Sequence, residues 1–248
     1  MRDDQPISIA AAQFSSVPGD VEANVHTMRN LVRTASEEGA RLVLFAEMAV
    51  TGYGMELVAE RPGLWLTEDD SRLGPLREAC RETGTAAVVN AAVRTAGGRP
   101  GISSLVIGPD GALLTRYDKR HLHGVELDVF APGEHDGRFT LDGVRFALTV
   151  CYDNRFPELA ERARADGCRV YLASSVLEDG NDSFEAVYPV RARENGLFVA
   201  VANQVGASDI GMCLGDSTIW GPDGAPLATA GRRDPGLAVA ELPLAVGY

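Results

Sequence analysis

Val144-Arg-Phe-Ala-Leu-Thr-Val150-Cys151-Tyr-Asp-Asn-Arg-Phe-Pro157-Glu158 is the stretch on which the fold turns: an apolar run of strand type closes on a thiol, and a proline suited to the first turn of a helix follows. Open α/β sheets place ligand-handling groups at the carboxyl ends of their strands, so Cys151 stands where a nucleophile would. A free cysteine is also a common core residue, and position alone leaves both readings open. Outward from it, two further ionisable groups edge apolar stretches. Glu47 closes Arg41-Leu-Val-Leu-Phe-Ala-Glu47, and Lys119 sits in Arg116-Tyr-Asp-Lys-Arg-His-Leu122.

Hydrophobic periodicity predicts strands over 7–14, 41–47, 86–93, 103–107, 112–117, 169–176, 197–203 and 237–242, beside the one that ends at Cys151. Helices are predicted over 22–38, where Val25, Met28, Leu31, Val32 and Ala35 recur at helical spacing before Gly39, and over 73–83, 157–166 and 184–195. The tetrapeptide Gly-Pro-Asp-Gly occurs at 108–111 and at 221–224, each time as a hairpin signal. Strand–helix–strand units therefore stand in both halves, with hairpins between them. Pattern alone allows either two sheets packed face to face or one doubly wound sheet.

Composition narrows the function. The 248 residues are 45% apolar, enough for a sizeable core, and no Pro/Ser-rich linker or charge run divides them, which predicts a single domain over 1–248. A net charge of −12, from 23 basic and 35 acidic residues, argues against a nucleic-acid surface. No apolar stretch approaches the ~20 residues that span a bilayer, and the charged start Met-Arg-Asp-Asp-Gln-Pro does not read as a signal peptide. Four cysteines without close-spaced pairs suit a reducing cytoplasm, with Cys80 and Cys168 read as packing residues. His121 and His123 form a His-x-His that would share one strand face and could bind zinc, but no third ligand is apparent, and loop packing is the preferred reading. No metal or cofactor is expected.

With Glu47, Lys119 and Cys151 in that order, the chain resembles the nitrilase superfamily of carbon–nitrogen hydrolases. The flanking motifs Glu-Met-Ala-Val-Thr-Gly-Tyr (47–53), Asp-Lys-Arg-His-Leu (118–122), Cys-Tyr-Asp with Phe-Pro-Glu (151–158), Arg-Ala-Arg-Glu-Asn (191–195), Asn203 and Gly-Asp-Ser-Thr-Ile-Trp-Gly-Pro-Asp-Gly (215–224) extend it over nearly the whole chain. One departure is Ala46, where the family usually has proline. The resemblance implies a four-layer α-β-β-α sandwich, a Glu-Lys-Cys triad and a homo-oligomer, most simply a dimer joined across the helical layer near the nucleophile. The apolar end from Leu237 to Tyr248 offers a physical motive for a partner, although an edge strand of the same subunit would account for it equally.

The triad implies hydrolysis of a small linear carboxamide. Cys151 would attack, Glu47 would carry protons, and Lys119 with the backbone N–H of Tyr152 would support the oxyanion. Burial should raise Glu47 toward neutrality, and the Lys119 ammonium should favour a Cys151 thiolate. Some members of the superfamily use a second glutamate. Glu126 is the best positional match, with Asp128 and Glu134 near enough to compete. Tyr53 and Arg155 are expected at the pocket, Arg155 and Glu158 read either as an ion pair shaping it or as first-turn charges of a helix, while Arg191 and Asn203 are expected to brace the scaffold. Nitrile hydrolysis, N-carbamoyl hydrolysis, a silent binding protein on the same fold and a zinc hydrolase are the alternatives.

Overall fold

Fully apolar strands flanked by amphipathic helices have to be covered on both faces, and the chain meets this with two sheets. The computed structural model describes residues 6–244. One sheet contains β1 (Ile7–Gln13), β2 (Leu42–Leu44), β3 (Ala86–Val93), β4 (Gly101–Ile107), β5 (Leu113–Asp118) and β14 (Gly236–Leu242), in the order β14-β1-β2-β3-β4-β5. The other contains β6 (Arg138–Leu141), β7 (Val144–Val150), β8 (Val170–Ser174), β9 (Phe198–Ala202), β12 (Thr218–Trp220) and β13 (Pro226–Thr229), in the order β13-β12-β9-β8-β7-β6. Each has three parallel strands, β1-β2-β3 and β7-β8-β9, with antiparallel strands outside them.

Strand β3 shows why the layers form. All of its residues are buried, and they divide by parity: Ala86, Val88 and Ala92 join the core between the sheets, whereas Ala87, Val89, Ala91 and Val93 pack under the helices. Helices α1 (Val21–Glu37) and α3 (Gly74–Thr83) cover the outer face of the first sheet through Val25, Met28, Val32, Leu76 and Cys80. Asp20 starts α1 by accepting the Ala23 N–H at 3.0 Å. Helices α5 (Pro157–Ala165) and α7 (Tyr188–Asn195) cover the second sheet, with Cys168 buried beneath them. The architecture is the α-β-β-α sandwich, not one doubly wound sheet.

Two of the expected elements need correction. The strand predicted over 41–47 stops at Leu44, because Asn90 Oδ1 takes the Met48 N–H at 2.8 Å and turns the chain out of the sheet, with Met48 at φ 54°. Glu47 thus follows a strand rather than ending it, and its own N–H reaches Ser175 O beside the second sheet at 3.3 Å. The helix predicted over 184–195 is two, α6 (Ser183–Ala186) and α7, since Pro189 has no N–H to continue the ladder. Leu237–Leu242 belongs to β14, an edge strand paired with β1 from Ile7↔Leu242 to Ala12↔Leu237, which accounts for that apolar run within the subunit. The tail from Ala245 to Tyr248 lies outside the described residues.

A small hairpin of β10 (Val205–Ser208) and β11 (Gly211–Leu214) leaves the second sheet. Its tip is fastened by Asp209 Oδ2, which accepts the N–H of Met55, the first residue of helix α2 (Met55–Glu60), at 2.8 Å.

Candidate active site

Cys151 leaves β7 where Val150 pairs with Ser174 of β8, and it opens a five-residue 3-10 turn, Cys151–Arg155. Its φ of 45° is left-handed, a conformation that costs a residue bearing Cβ ~1–3 kcal/mol and persists only where surroundings enforce it. The enforcement is visible. Asn154 Nδ2 donates to Cys151 O at 2.8 Å, and buried Arg191 donates from Nε to Asn154 O at 3.0 Å.

Asp153, fully buried, does more. Its Oδ1 accepts the N–H groups of Arg120 at 3.2 Å and His121 at 2.8 Å and meets His121 Nδ1 at 2.9 Å. Its Oδ2 accepts the Tyr117 hydroxyl at 2.7 Å and the Val150 N–H at 3.3 Å. One carboxylate thereby ties the turn that presents Cys151 to the segment that presents Lys119.

Lys119, wholly buried, donates from Nζ to Glu47 Oε1 at 2.8 Å and to Glu126 Oε1 at 2.7 Å. Glu126 opens the short helix α4 (Glu126–Val129) and is itself held by the Tyr53 hydroxyl on Oε1 at 3.0 Å and the His123 N–H on Oε2 at 2.9 Å. Its competitors Asp128 and Glu134 are exposed. Glu47 Oε2 is buried without a hydrogen-bond partner among the described residues. The Cys151 thiol donates to Val176 O at 3.6 Å.

These contacts set the protonation states. Burial pushes the Glu47 carboxyl up to about 7, with the Lys119 charge opposing and the Glu126 charge adding to the rise. Burial pulls against the Lys119 ammonium, yet the charges of Glu47, Cys151 and Glu126 outweigh it and Lys119 stays firmly protonated. Burial and then the Glu47 charge hold the Cys151 thiol well above its ordinary value, and Lys119 offsets only part of this. The expectation of a lysine-stabilised thiolate is thus corrected: the resting sulfur carries its proton.

The thiol opens into a cavity of about 510 Å³. Tyr53, Lys119, Glu126, Tyr152 and Arg155 also line it, so the structure assembles the predicted residues at one place, with Glu47 joined to them through Lys119. Val176, Leu177, Val187 and Ile210 from the hairpin tip supply an apolar wall, and Glu178 also lines the cavity. Arg155 pairs with Asp182, not with the expected Glu158, which lies on the helix beyond Pro157. Asn203 braces the wall by exchanging hydrogen bonds with Leu177 N and O at 2.9 and 3.2 Å.

His121 and His123 lie on no strand and their rings diverge. His121 stacks on Phe156 at 3.6 Å between centroids and meets Asp153, whereas His123 packs against Tyr152 at 4.5 Å. Among the described residues, no group of three or more His, Cys, Asp or Glu is arranged to hold a metal ion. Two signals escaped the sequence reading. Asp153 was passed over inside Cys-Tyr-Asp, and Lys119 is the sole lysine of the chain, the other basic residues being arginine.

The model of the carbon-nitrogen hydrolase family matches residues 8–247. The chain belongs to this family. Among carbon-nitrogen hydrolases it is similar to the omega-amidase of Homo sapiens, 28% identical with 92% of this chain and 85% of that protein covered. It is also similar to the (R)-stereoselective amidase of a Pseudomonas species, 31% identical with 92% and 82% covered. The crystal structure of an amidase from a Nesterenkonia species superposes with a TM-score of 0.88 at 31% identity, covering 98% of this chain and 92% of that one. A mutant of that amidase shows covalent addition of the acetamide moiety of fluoroacetamide at its active-site cysteine. The chain is thus an amidase-type member of the nitrilase superfamily, with that superfamily's sandwich fold.

Proposed function

We propose that this carbon-nitrogen hydrolase cleaves a small linear carboxamide to a carboxylic acid and ammonia through a thioester on Cys151. The observation that carries the reading is the bracket around Lys119 Nζ, 2.8 Å from Glu47 and 2.7 Å from Glu126, in the wall of the cavity into which the thiol opens. An ammonium has three donors, and two are taken by the carboxylates. The third is available to a substrate oxygen.

With the sulfur protonated at rest, attack has to be coupled to proton removal. Glu47, near 7, is the matched acceptor. Glu47 takes the thiol proton as sulfur bonds to the carbonyl carbon, and the resulting oxyanion is met by Lys119 Nζ and by the Tyr152 N–H. The latter stands at the start of the 3-10 turn, where N–H groups have no partner within the turn. Glu47 returns the proton to nitrogen and ammonia leaves. Water then enters, gives a proton to Glu47 and attacks the thioester; the C–S bond breaks and Glu47 reprotonates the sulfur. Glu126 holds Lys119 in place throughout.

The amidase names of the relatives support the reaction class. We read residues 1–248 as one domain, since both sheets contribute to one core between them, and as a cytoplasmic homodimer that needs no metal. Light scattering tests the dimer against the 26.4 kDa of one chain. For the reaction, ammonia release and mass spectrometry of a quenched turnover of propionamide decide: an acyl adduct on Cys151, lost together with activity in a folded Cys151→Ala protein, is expected, and an active Cys151→Ala protein overturns the thiol route.

A further inference from the structure

One charged side chain at the cavity stands without an ion-pair partner among the described residues. Four firmly ionisable side chains line the cavity: Lys119, Glu126, Arg155 and Glu178. Lys119 is committed to Glu47 and Glu126, and Arg155 is committed to Asp182. Arg232, the cation beside the adjoining cavity that Glu178 also lines, pairs with Asp179 and Asp216. Glu178 alone has no cation within ion-pair distance among the described residues.

Its position is built. Glu178 is half-buried, and its backbone forms a bridge to Cys213 in the β10-β11 hairpin, whose tip is pinned by Asp209 to helix α2. The Leu177 backbone beside it is clasped by Asn203. Val176, Leu177, Val187 and Ile210 line the same cavity as the thiol and this carboxylate. A methylene chain suits that wall, and a cation at its end suits the carboxylate. An anionic tail would meet Glu178 with no uncommitted cation to receive it, in a protein whose net charge of −12 already repels anions.

Building on the amidase reading, we infer that the substrate is an ω-amino amide: its carboxamide reaches Cys151, its aliphatic chain lies on Val176, Leu177, Val187 and Ile210, and its protonated amine is received by Glu178. Glu178 sets specificity and takes no part in the bond-breaking steps.

The test is a comparison of δ-aminovaleramide, hexanamide and the monoamide of glutaric acid, with propionamide as a short reference, on wild type, Glu178→Gln and Glu178→Lys, each checked for an unchanged melting curve. One charge-assisted contact predicts a kcat/KM for δ-aminovaleramide about tenfold or more above hexanamide, expressed in KM. Glu178→Gln should bring that ratio to about one, and Glu178→Lys should shift preference to the glutaric monoamide. A wild type that prefers hexanamide or the monoamide, or a Glu178→Gln protein that keeps the amine preference, overturns the inference. Turnover of propionamide with all three longer amides inert keeps the amidase reading and removes the cation subsite. Inertness toward all four removes both.

Discussion

Asp153 accepts the backbone N–H of His121 at 2.8 Å while it also accepts that of Val150 at 3.3 Å, so the strand end carrying the thiol and the segment carrying the lysine share one buried anchor. Asparagine at this position presents an amide donor to groups that are themselves donors. Asp153→Asn is expected to cost ~1.5–3 kcal/mol, the range for hydrogen bonds to a charged group, and to lower kcat more than it raises KM. Chemical denaturation and steady-state kinetics check both. An unchanged kcat would show that the anchor serves stability alone.

Lys119→Met leaves Glu47 and Glu126 facing each other in a buried site without their cation. Breaking such a buried arrangement is expected to destabilise by ~3–5 kcal/mol, and loss of the oxyanion donor to slow turnover by ~10²-fold or more. Thermal unfolding reads the first effect and ammonia release the second.

Glu126 and Glu134 separate cleanly because one is buried against Lys119 and the other is exposed. Glu126→Gln should impair turnover, since the amide no longer fixes the ammonium by charge, while Glu134→Gln should match wild type. The reverse pattern would move the second carboxylate.

Glu47 gives the pH profile. It acts as a base only when ionised, so kcat/KM should rise with pH through about 7 and level off above it. Stability runs the other way. A carboxyl raised from 4.5 to about 7 binds its proton more tightly in the folded state, so its contribution is present below 4.5 and is lost as pH climbs to about 7. Glu47→Gln should flatten that decline in the melting temperature and abolish the acid limb. A wild-type acid limb near 4.5 would remove Glu47 from the base role.

Much of this was legible in the sequence because strand periodicity and a thiol at a strand end are local patterns. The resemblance to the nitrilase superfamily named Glu47, Lys119 and Glu126 beside Cys151, and the almost wholly apolar run of β3 marks a strand buried on both faces. Long-range polar contacts were not legible. Nothing near Asp153 announces that it will accept N–H groups from residues 120 and 121, and nothing near Asn90 announces that it ends β2. The protonation of Cys151 was misread for the same reason: the nearby lysine is visible in sequence, whereas the burial that outweighs it exists only in the folded chain.

The sole lysine of this protein is sealed between two carboxylates. Its other basic side chains, the histidines aside, are guanidinium groups, so amine-reactive labels find no other side-chain amine. Modification of Lys119 then requires the two carboxylates to let go of the ammonium and the ammonium to give up its proton. The rate at which an acylating reagent enters this one side chain becomes a clock for opening of the site, readable by mass without any engineered probe.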